Sequence, residues 1–319
     1  MDKGLKISVI MSVFGYEDYV ESTIESILLQ TVKEIEFIII DDGCKYDLMS
    51  VVNDFNDDRI MYIKNKENIG LTASLINGVL QSEGKYIARM DAGNIALKER
   101  LEAQYDFLEK NSSISLTGSS VMLIDEGGKT ICEKIAITDN VQIGETMPLY
   151  NCIDHSSILF RKDLGIGYRS KFKYSQDYDL YLNMLSAGHS LANLPETLLK
   201  ERFLPYSVTY NKRCEQEYYR EMAAEYYRQR QKCGKDDYGS IKEYKKEDTD
   251  SEVIPVEKSQ IFFKLQKLYY LLYSGKLVSA RKLALEILKS GFNTKAMAYY
   301  VISYLPLIVK MIGKRKGIR

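Results

Sequence analysis

The sequence predicts an α/β protein, an open and mostly parallel sheet flanked by helices, with a helical appendage at its C-terminal end. Three observations predict it. Ile7 to Phe14 and Glu36 to Ile40 are β-branched, almost wholly apolar runs of strand length, which is how strands buried on both faces of a parallel sheet read. Between them, Glu17 to Gln30 sets Tyr19, Ile24, Ile27 and Leu28 on one stripe and Glu17, Glu21 and Glu25 off it, a period near 3.6 residues. The alternation then repeats, with Leu48 to Phe55 as helix, Ile60 to Lys64 as strand, Leu71 to Leu80 as helix and Tyr86 to Met90 as strand.

The chain has 319 residues, 45% apolar and 28% charged, which suits a folded chain of about two domains. Lys plus Arg (44) balances Asp plus Glu (44), so no global basic field is present and no nucleic-acid partner is expected. Cys44, Cys132, Cys152, Cys214 and Cys233 are odd in number and widely spaced, which fits a reducing compartment better than a disulfide framework. The N-terminal apolar run is followed at once by Glu17 and Asp18 and reads as a strand rather than a signal peptide. Ala296 to Val309 is too short for a spanning helix, so a cytoplasmic protein is expected.

Residues 1–205 therefore read as the sheet domain, 206–234 as a helical extension, 235–258 as a charge-dense linker, and 259–319 as a helical region with a basic tail. In that last region Ser259 to Ser274, Lys276 to Ser290 and Thr294 to Gly313 read as three helices, with Gly275 and Gly291 as stops. The final ten residues hold five cations and no acid, directly after a Tyr-rich apolar stretch. Such a helix suits the surface of an anionic membrane. The paired tyrosines at 218 and 219, 226 and 227, 269 and 270, and 299 and 300 read as helix packing with hydroxyls at the rim.

In open parallel sheets ligands bind outside the carboxyl ends of the strands, and here those ends carry Asp41, Asp42 and Asp91. Two adjacent acids repel, so Asp41 and Asp42 need a compensating donor: a nucleobase imide, a ribose hydroxyl, a base or a cation. A solvated turn would read the same way. Asn68 and Gly70 precede a helix start whose free N–H groups favour an anion, and Arg89 lies two residues before Asp91, facing either a phosphate or an acid.

In combination these motifs resemble the family 2 glycosyltransferases, the inverting enzymes that build bacterial capsule, exopolysaccharide and O-antigen chains. The resemblance runs through SVIMSVFGYEDYVESTIESILLQT, EFIIIDDG, NIGLTASLINGVLQSEGKYIARMDAGN, DHSSILFRKDL and SQDYDLYLNM, about two thirds of the chain. It implies the GT-A fold, which is Rossmann-like, and a nucleoside diphosphate sugar as donor, a UDP-sugar foremost. The acceptor it implies is a hydroxyl of a glycan or of a lipid-linked molecule.

Carried over by position, Phe14 and Tyr16 fall where the first loop meets the base, and Asp42, with Asp41, where a carboxylate binds uracil or ribose. Asn68, Gly70 and Arg89 fall on the nucleotide stretch, Asp91 on the first acid of the metal-binding motif, and Asp177 on the catalytic base. Two positions depart from the family: Gly93 stands where the acid that holds Mg²⁺ or Mn²⁺ usually is, and Gln176 replaces the acid before the base. Asn94 and His155 are the remaining metal-ligand candidates, a poor set for a hard dication, so weakened or rearranged metal use is expected. The alternative for His155, weaker than the ligand reading, is a satisfied residue before the apolar run Ser157 to Phe160, and Asp177 also suits the dipole of its helix. The rival function is a relative that binds the donor, or serves as a scaffold, without catalysing transfer.

Overall fold

The computed structural model describes residues 4, 6–205, 212–244, 256–291 and 293–319. Strands β1 (Ile7–Val13) and β2 (Ile35–Asp41) are buried almost throughout, and pair in parallel with Ile7 opposite Ile35 and Val13 opposite Asp41. Helix α1 (Val20–Leu28) crosses between them, burying Val20, Thr23, Ile24, Ser26 and Ile27. Helix α2 (Leu48–Asn53), capped by the Asp47 side chain on the Ser50 N–H, leads into β3 (Ile60–Lys64), and α3 (Leu71–Gln81) leads into β4 (Tyr86–Arg89). Strand β3 pairs in parallel with β2, and β4 with β1.

Beyond β4 the direction reverses. Strands β5 (Ile95–Ala96), β6 (Ile114–Ile124), β7 (Thr130–Lys134), β8 (Leu159–Arg161) and β9 (Ser190–Arg202) complete a nine-stranded sheet ordered β3-β2-β1-β4-β8-β6-β9-β5, with β7 on β6. The β4/β8, β6/β8, β6/β7 and β5/β9 pairs are antiparallel. The fold is thus the expected α/β GT-A architecture, parallel in the half that the alternating sequence announces and antiparallel in the other. Helices α4 (Arg100–Lys110), α5 (Asn140–Thr146), α6 (Gln176–Ser186) and α7 (Arg213–Cys233) follow in chain order.

The chain divides into two compact units, Met1–Ser120, Ala136–Lys200 and Glu215–Tyr244 in the first, and Val121–Ile135, Glu201–Cys214 and Lys245–Arg319 in the second. In the first, an aromatic cluster of Tyr219, Tyr226 and Tyr238 surrounds buried Phe172, whose ring stacks on Tyr238 at 6.2 Å and 7°. The expected charged linker therefore needs correcting. Its first residues belong to the first unit, because Asp236 pairs with Arg169 at 2.7 Å and with Arg230, while Tyr238 and Ile241 pack on the core. Residues 245–255 of that segment, like 206–211 of the helical extension, lie outside the described residues.

The second unit contains α8 (Val256–Tyr273), α9 (Leu277–Ser290), α10 (Thr294–Ile302) and α11 (Pro306–Arg315), packed around Leu268, Leu272, Ala280, Ala284 and Ile287. The single helix expected over Thr294 to Gly313 is two helices, bent by 111° at the break. Pro306 starts the second because proline lacks the N–H that would continue the first.

Candidate active site

At the carboxyl edge of β1 and β2 the two aspartates are satisfied by the chain itself. Asp41 Oδ1 accepts the N–H groups of Gly43 (3.0 Å) and Cys44 (2.7 Å), and Oδ2 accepts the Tyr62 hydroxyl (2.7 Å), with Lys64 Nζ at 3.7 Å. Burial raises its carboxyl, but these donors outweigh burial and hold it below the usual range. Buried Asp42 accepts from Asn65 Nδ2 (2.9 Å) and Ile69 N–H (2.9 Å) on Oδ1 and from Gly70 N–H (3.0 Å) on Oδ2.

This modifies two expectations. The donor that the acidic pair needs is supplied internally, and the anion at the start of α3 is the Asp42 carboxylate, so the Ile69 and Gly70 N–H groups are already engaged. Gly43 is required where these loops meet. Its φ is +84°, and a Cβ there would stand 2.8 Å from the Asn68 backbone nitrogen. Phe14, 53% exposed, and exposed Asn68 flank this corner.

A second cluster lies around the end of β4. Buried Arg89 donates to the Met90 carbonyl and pairs with Asp91, and its Nε is buried without a hydrogen-bond partner. The Asp91 N–H donates to Ser156 Oγ at 2.9 Å, which joins it to the short 3₁₀ turn His155–Ser157. Arg100, fully buried, donates to the carbonyls of Arg89 (2.8 Å) and Ile158 (3.2 Å) and to Gln104 Oε1 (3.1 Å). Burial, with the charge of Arg89 beside it, pulls its guanidinium down to about 9, so it stays protonated at neutral pH. Two buried guanidiniums thus stand behind the Asp91 carboxylate.

His155 Nε2 lies 2.8 Å from the Tyr168 hydroxyl. Burial and then the charge of Arg89 hold its imidazole well below the usual range, so it is neutral. Asp177, in the first turn of α6, accepts from Asn151 Nδ2 at 2.8 Å. Burial raises its carboxyl, and the charge of Asp91 adds to this against the pull of Asn151 and nearby backbone N–H groups. Its neighbour Asp179 faces the other way, onto Arg169 Nε at 2.8 Å.

Backbone strain marks the same region. Tyr16 (φ +66°) and Ser175 (φ +52°), which precedes α6, are two of three non-glycine residues with positive φ among the described residues. The Tyr16 phenol is pushed up to about 12, by burial first and then by the charge of Asp91. Its ring covers Gly93, where φ is +96° and a Cβ would lie 3.2 Å from Tyr16 Cδ1. Asn94 is buried at the same turn, its carbonyl accepting from Thr23 Oγ1 at 2.8 Å.

The structure thus brings Tyr16, Arg89, Asp91, His155 and Asp177 into one electrostatic neighbourhood, and Phe14, Asp41, Asp42, Asn68 and Gly70 into an adjoining corner. The loop after β1 touches both, since the Gly15 carbonyl accepts from the Tyr46 hydroxyl at 3.3 Å. Asn151, Tyr168 and Arg100 complete the first cluster without any motif that would have singled them out, and Ser156 joins it from within the DHSS motif.

A divalent ion held by the protein does not fit these residues. Asp91 is already paired with Arg89, Gly93 offers no ligand, His155 Nε2 is engaged with Tyr168, and the Tyr16 ring fills the space over Gly93. Among the described residues no three His, Cys, Asp or Glu side chains gather in a way that could hold a metal.

The topology defines an α/β protein, and an arginine–aspartate pair with a helix-borne carboxylate at the carboxyl edge, where such sheets bind their ligands, makes this edge the candidate active site. Comparison with known proteins gives the particular family. Residues 8–163 match the family model described as glycosyl transferase family 2. The amylovoran biosynthesis glycosyltransferase AmsE of Erwinia amylovora is 30% identical over 201 residues, 61% of this chain and 75% of that protein. The O-antigen biosynthesis glycosyltransferase WbnJ of Escherichia coli is 34% identical over 204 residues, 61% and 79% of the two chains. The chain belongs to glycosyltransferase family 2 and is a glycosyltransferase. The crystal structure of S. aureus TarS residues 1–349 in complex with UDP shares the fold, with a TM-score of 0.52 at 16% identity, over 94% of this chain and 89% of that one.

Proposed function

We propose that this chain moves a sugar, with inversion at the anomeric carbon, from a nucleoside diphosphate sugar to a hydroxyl of a glycan or lipid-linked acceptor during assembly of a surface polysaccharide. The names of AmsE and WbnJ support the polysaccharide setting, and the UDP in the TarS complex supports a UDP-sugar. The observation that carries the reading is the meeting of Asp177, with its raised carboxyl, and the Arg89–Asp91 pair in one site.

In this reading the base lies at the corner formed by Phe14, Asp41, Asp42, Asn68 and Gly70. The diphosphate lies over Asp91, where Arg89 and Arg100 supply positive charge. An acceptor hydroxyl attacks the anomeric carbon and gives its proton to the Asp177 carboxylate, as the bond from that carbon to the diphosphate oxygen breaks and the diphosphate leaves with the electron pair. Asn151 holds the Asp177 carboxylate in position. Neutral His155, fixed by Tyr168, adds no charge beside Arg89.

Mg²⁺ or Mn²⁺ would supply further positive charge at the diphosphate. Because the residues present do not form a protein-held ion site, such an ion would be carried by the donor diphosphate. The reaction is placed in the cytoplasm, with the protein held at the inner face of the membrane by its basic C-terminal helix.

Incubation with a panel of UDP-sugars and lipid or glycan acceptors, with the anomeric configuration of the product read by NMR, tests the reading. A product of retained configuration would overturn it. One observation, the Tyr16 ring over Gly93, favours the second reading, a relative that binds the donor without transferring it. Intact UDP binding with no turnover of any donor would establish that alternative.

A further inference from the structure

The second unit carries a surface that sugar transfer does not use. Helices α10 and α11 bury Ala296, Val309 and Gly313, yet they and the turn between them leave Val301, Tyr304, Leu305, Leu307, Ile308 and Met311 exposed, Leu307 to 83%, Tyr304 to 55% and Met311 to 54%. Scattered apolar side chains on a surface are ordinary, but six within eleven positions form a patch. On α11 the spacing of Leu307, Met311, Lys314 and Arg315 places an apolar first turn and a basic last turn along one side.

The charge around this patch has one sign. No acidic residue occurs from Ile287 to Arg319, whereas Lys289, Lys295, Lys310, Lys314, Arg315, Lys316 and Arg319 all do, in a chain of zero net charge. We infer that this face docks on the surface of a bilayer containing anionic phospholipid, with Leu307, Ile308 and Met311 entering the headgroup region and Lys310, Lys314 and Arg315 contacting lipid phosphates. It specifies the peripheral attachment proposed above, and it stands or falls separately from the transfer reaction.

Two features make this docking on the surface rather than insertion across the bilayer. Among the described residues no single helix is long and apolar enough to cross a membrane, and the two helices meet at 111°. The helices are also fixed from below. A Cβ at Gly313 would meet the Tyr273 carbonyl at 2.2 Å, and Glu133 and Arg319 exchange backbone hydrogen bonds at 2.7 and 2.9 Å. A second copy of the chain is the less favoured occupant, because a symmetric contact through this face would set each cluster of cations against the other.

The test is co-sedimentation of the full chain with vesicles of phosphatidylcholine alone or with one third phosphatidylglycerol, at low and high salt. Binding to the anionic vesicles that weakens with salt, and little binding to the neutral ones, is the expected result. Each neutralised cation lowers partitioning about fivefold, so Lys310→Gln/Lys314→Gln/Arg315→Gln loses on the order of a hundredfold. Leu307→Glu/Met311→Glu releases the protein while leaving UDP binding unchanged, which also reports that the variant is folded. Equal binding of wild type and both variants, or no vesicle binding by the wild type, would overturn the inference. So would a dimer in solution that Leu307→Glu/Met311→Glu dissociates in the absence of vesicle binding.

Discussion

Replacing Asp42 by alanine separates two roles for the acidic pair, because the structure assigns this carboxylate a load that can be sized. Asp42 accepts three hydrogen bonds, from Asn65 Nδ2, Ile69 N–H and Gly70 N–H at 2.9, 2.9 and 3.0 Å, and is itself buried. A hydrogen bond to a charged acceptor is worth about 1.5–3 kcal/mol, which gives a gross loss of about 4.5–9 kcal/mol. Ile69 and Asn68 are exposed, so water can reach part of the vacated site, and roughly half of that loss is recovered, leaving about 2–4.5 kcal/mol. At about 2–4 °C per kcal/mol, Asp42→Ala should lower the melting temperature by roughly 10 °C. Thermal denaturation followed by circular dichroism gives that shift, and titration calorimetry with UDP at a temperature where both proteins are folded gives the affinity. A variant as stable as the wild type that no longer binds UDP would contradict this role, since the carboxylate would then serve the ligand and not the loop.

Other expectations follow from the same geometry. Because Asp177 must be ionised to take a proton and its carboxyl is raised, kcat/KM should fall on acidification at a higher pH than an ordinary aspartate of about 3.9 gives; a profile flat down to that value would contradict the assignment. The raised carboxyl also means that the ionised form is disfavoured in the fold. Asp177→Asn should therefore melt higher than the wild type above that pH, and the difference should vanish as acidification protonates the native aspartate. Arg169→Met strands the fully buried carboxylate of Asp179 and should cost about 3–5 kcal/mol in urea unfolding, much of it restored by adding Asp179→Asn. Gly93→Asp meets both the +96° φ and the Tyr16 ring, so alone it should destabilise by about 1–2 kcal/mol without creating Mn²⁺ affinity measurable by EPR; affinity should emerge only when Tyr16 is also truncated.

The parallel half of the sheet was legible because β1, β2 and β4 are buried almost throughout and the crossovers between strands are helices, while β3, at the edge of the sheet, is only partly buried. The antiparallel half gave weaker signals. Strand β6 is buried but reads Ile-Ser-Leu-Thr-Gly-Ser-Ser, while β5 and β8 have two and three residues, below the length at which periodicity is visible. Pro306 was visible, yet the apolar stretch around it concealed a sharp change of helix direction.

At the site, the motifs located Arg89, Asp91, His155 and Asp177, but their partners were hidden by sequence distance. Asp42 meets backbone N–H groups 27 and 28 residues later, Asp177 meets Asn151 26 residues earlier, and Tyr16 lies against a glycine far along the chain. An acidic doublet cannot reveal from its own neighbours whether loop N–H groups have already claimed it.

The most direct test measures UDP release from a UDP-sugar and acceptor by wild type and Asp177→Asn, beside UDP affinity for both. Turnover by the wild type, about 10²–10⁴-fold less by the variant, and closely similar affinities are expected. Undiminished turnover by the asparagine variant would contradict the role of Asp177 as base.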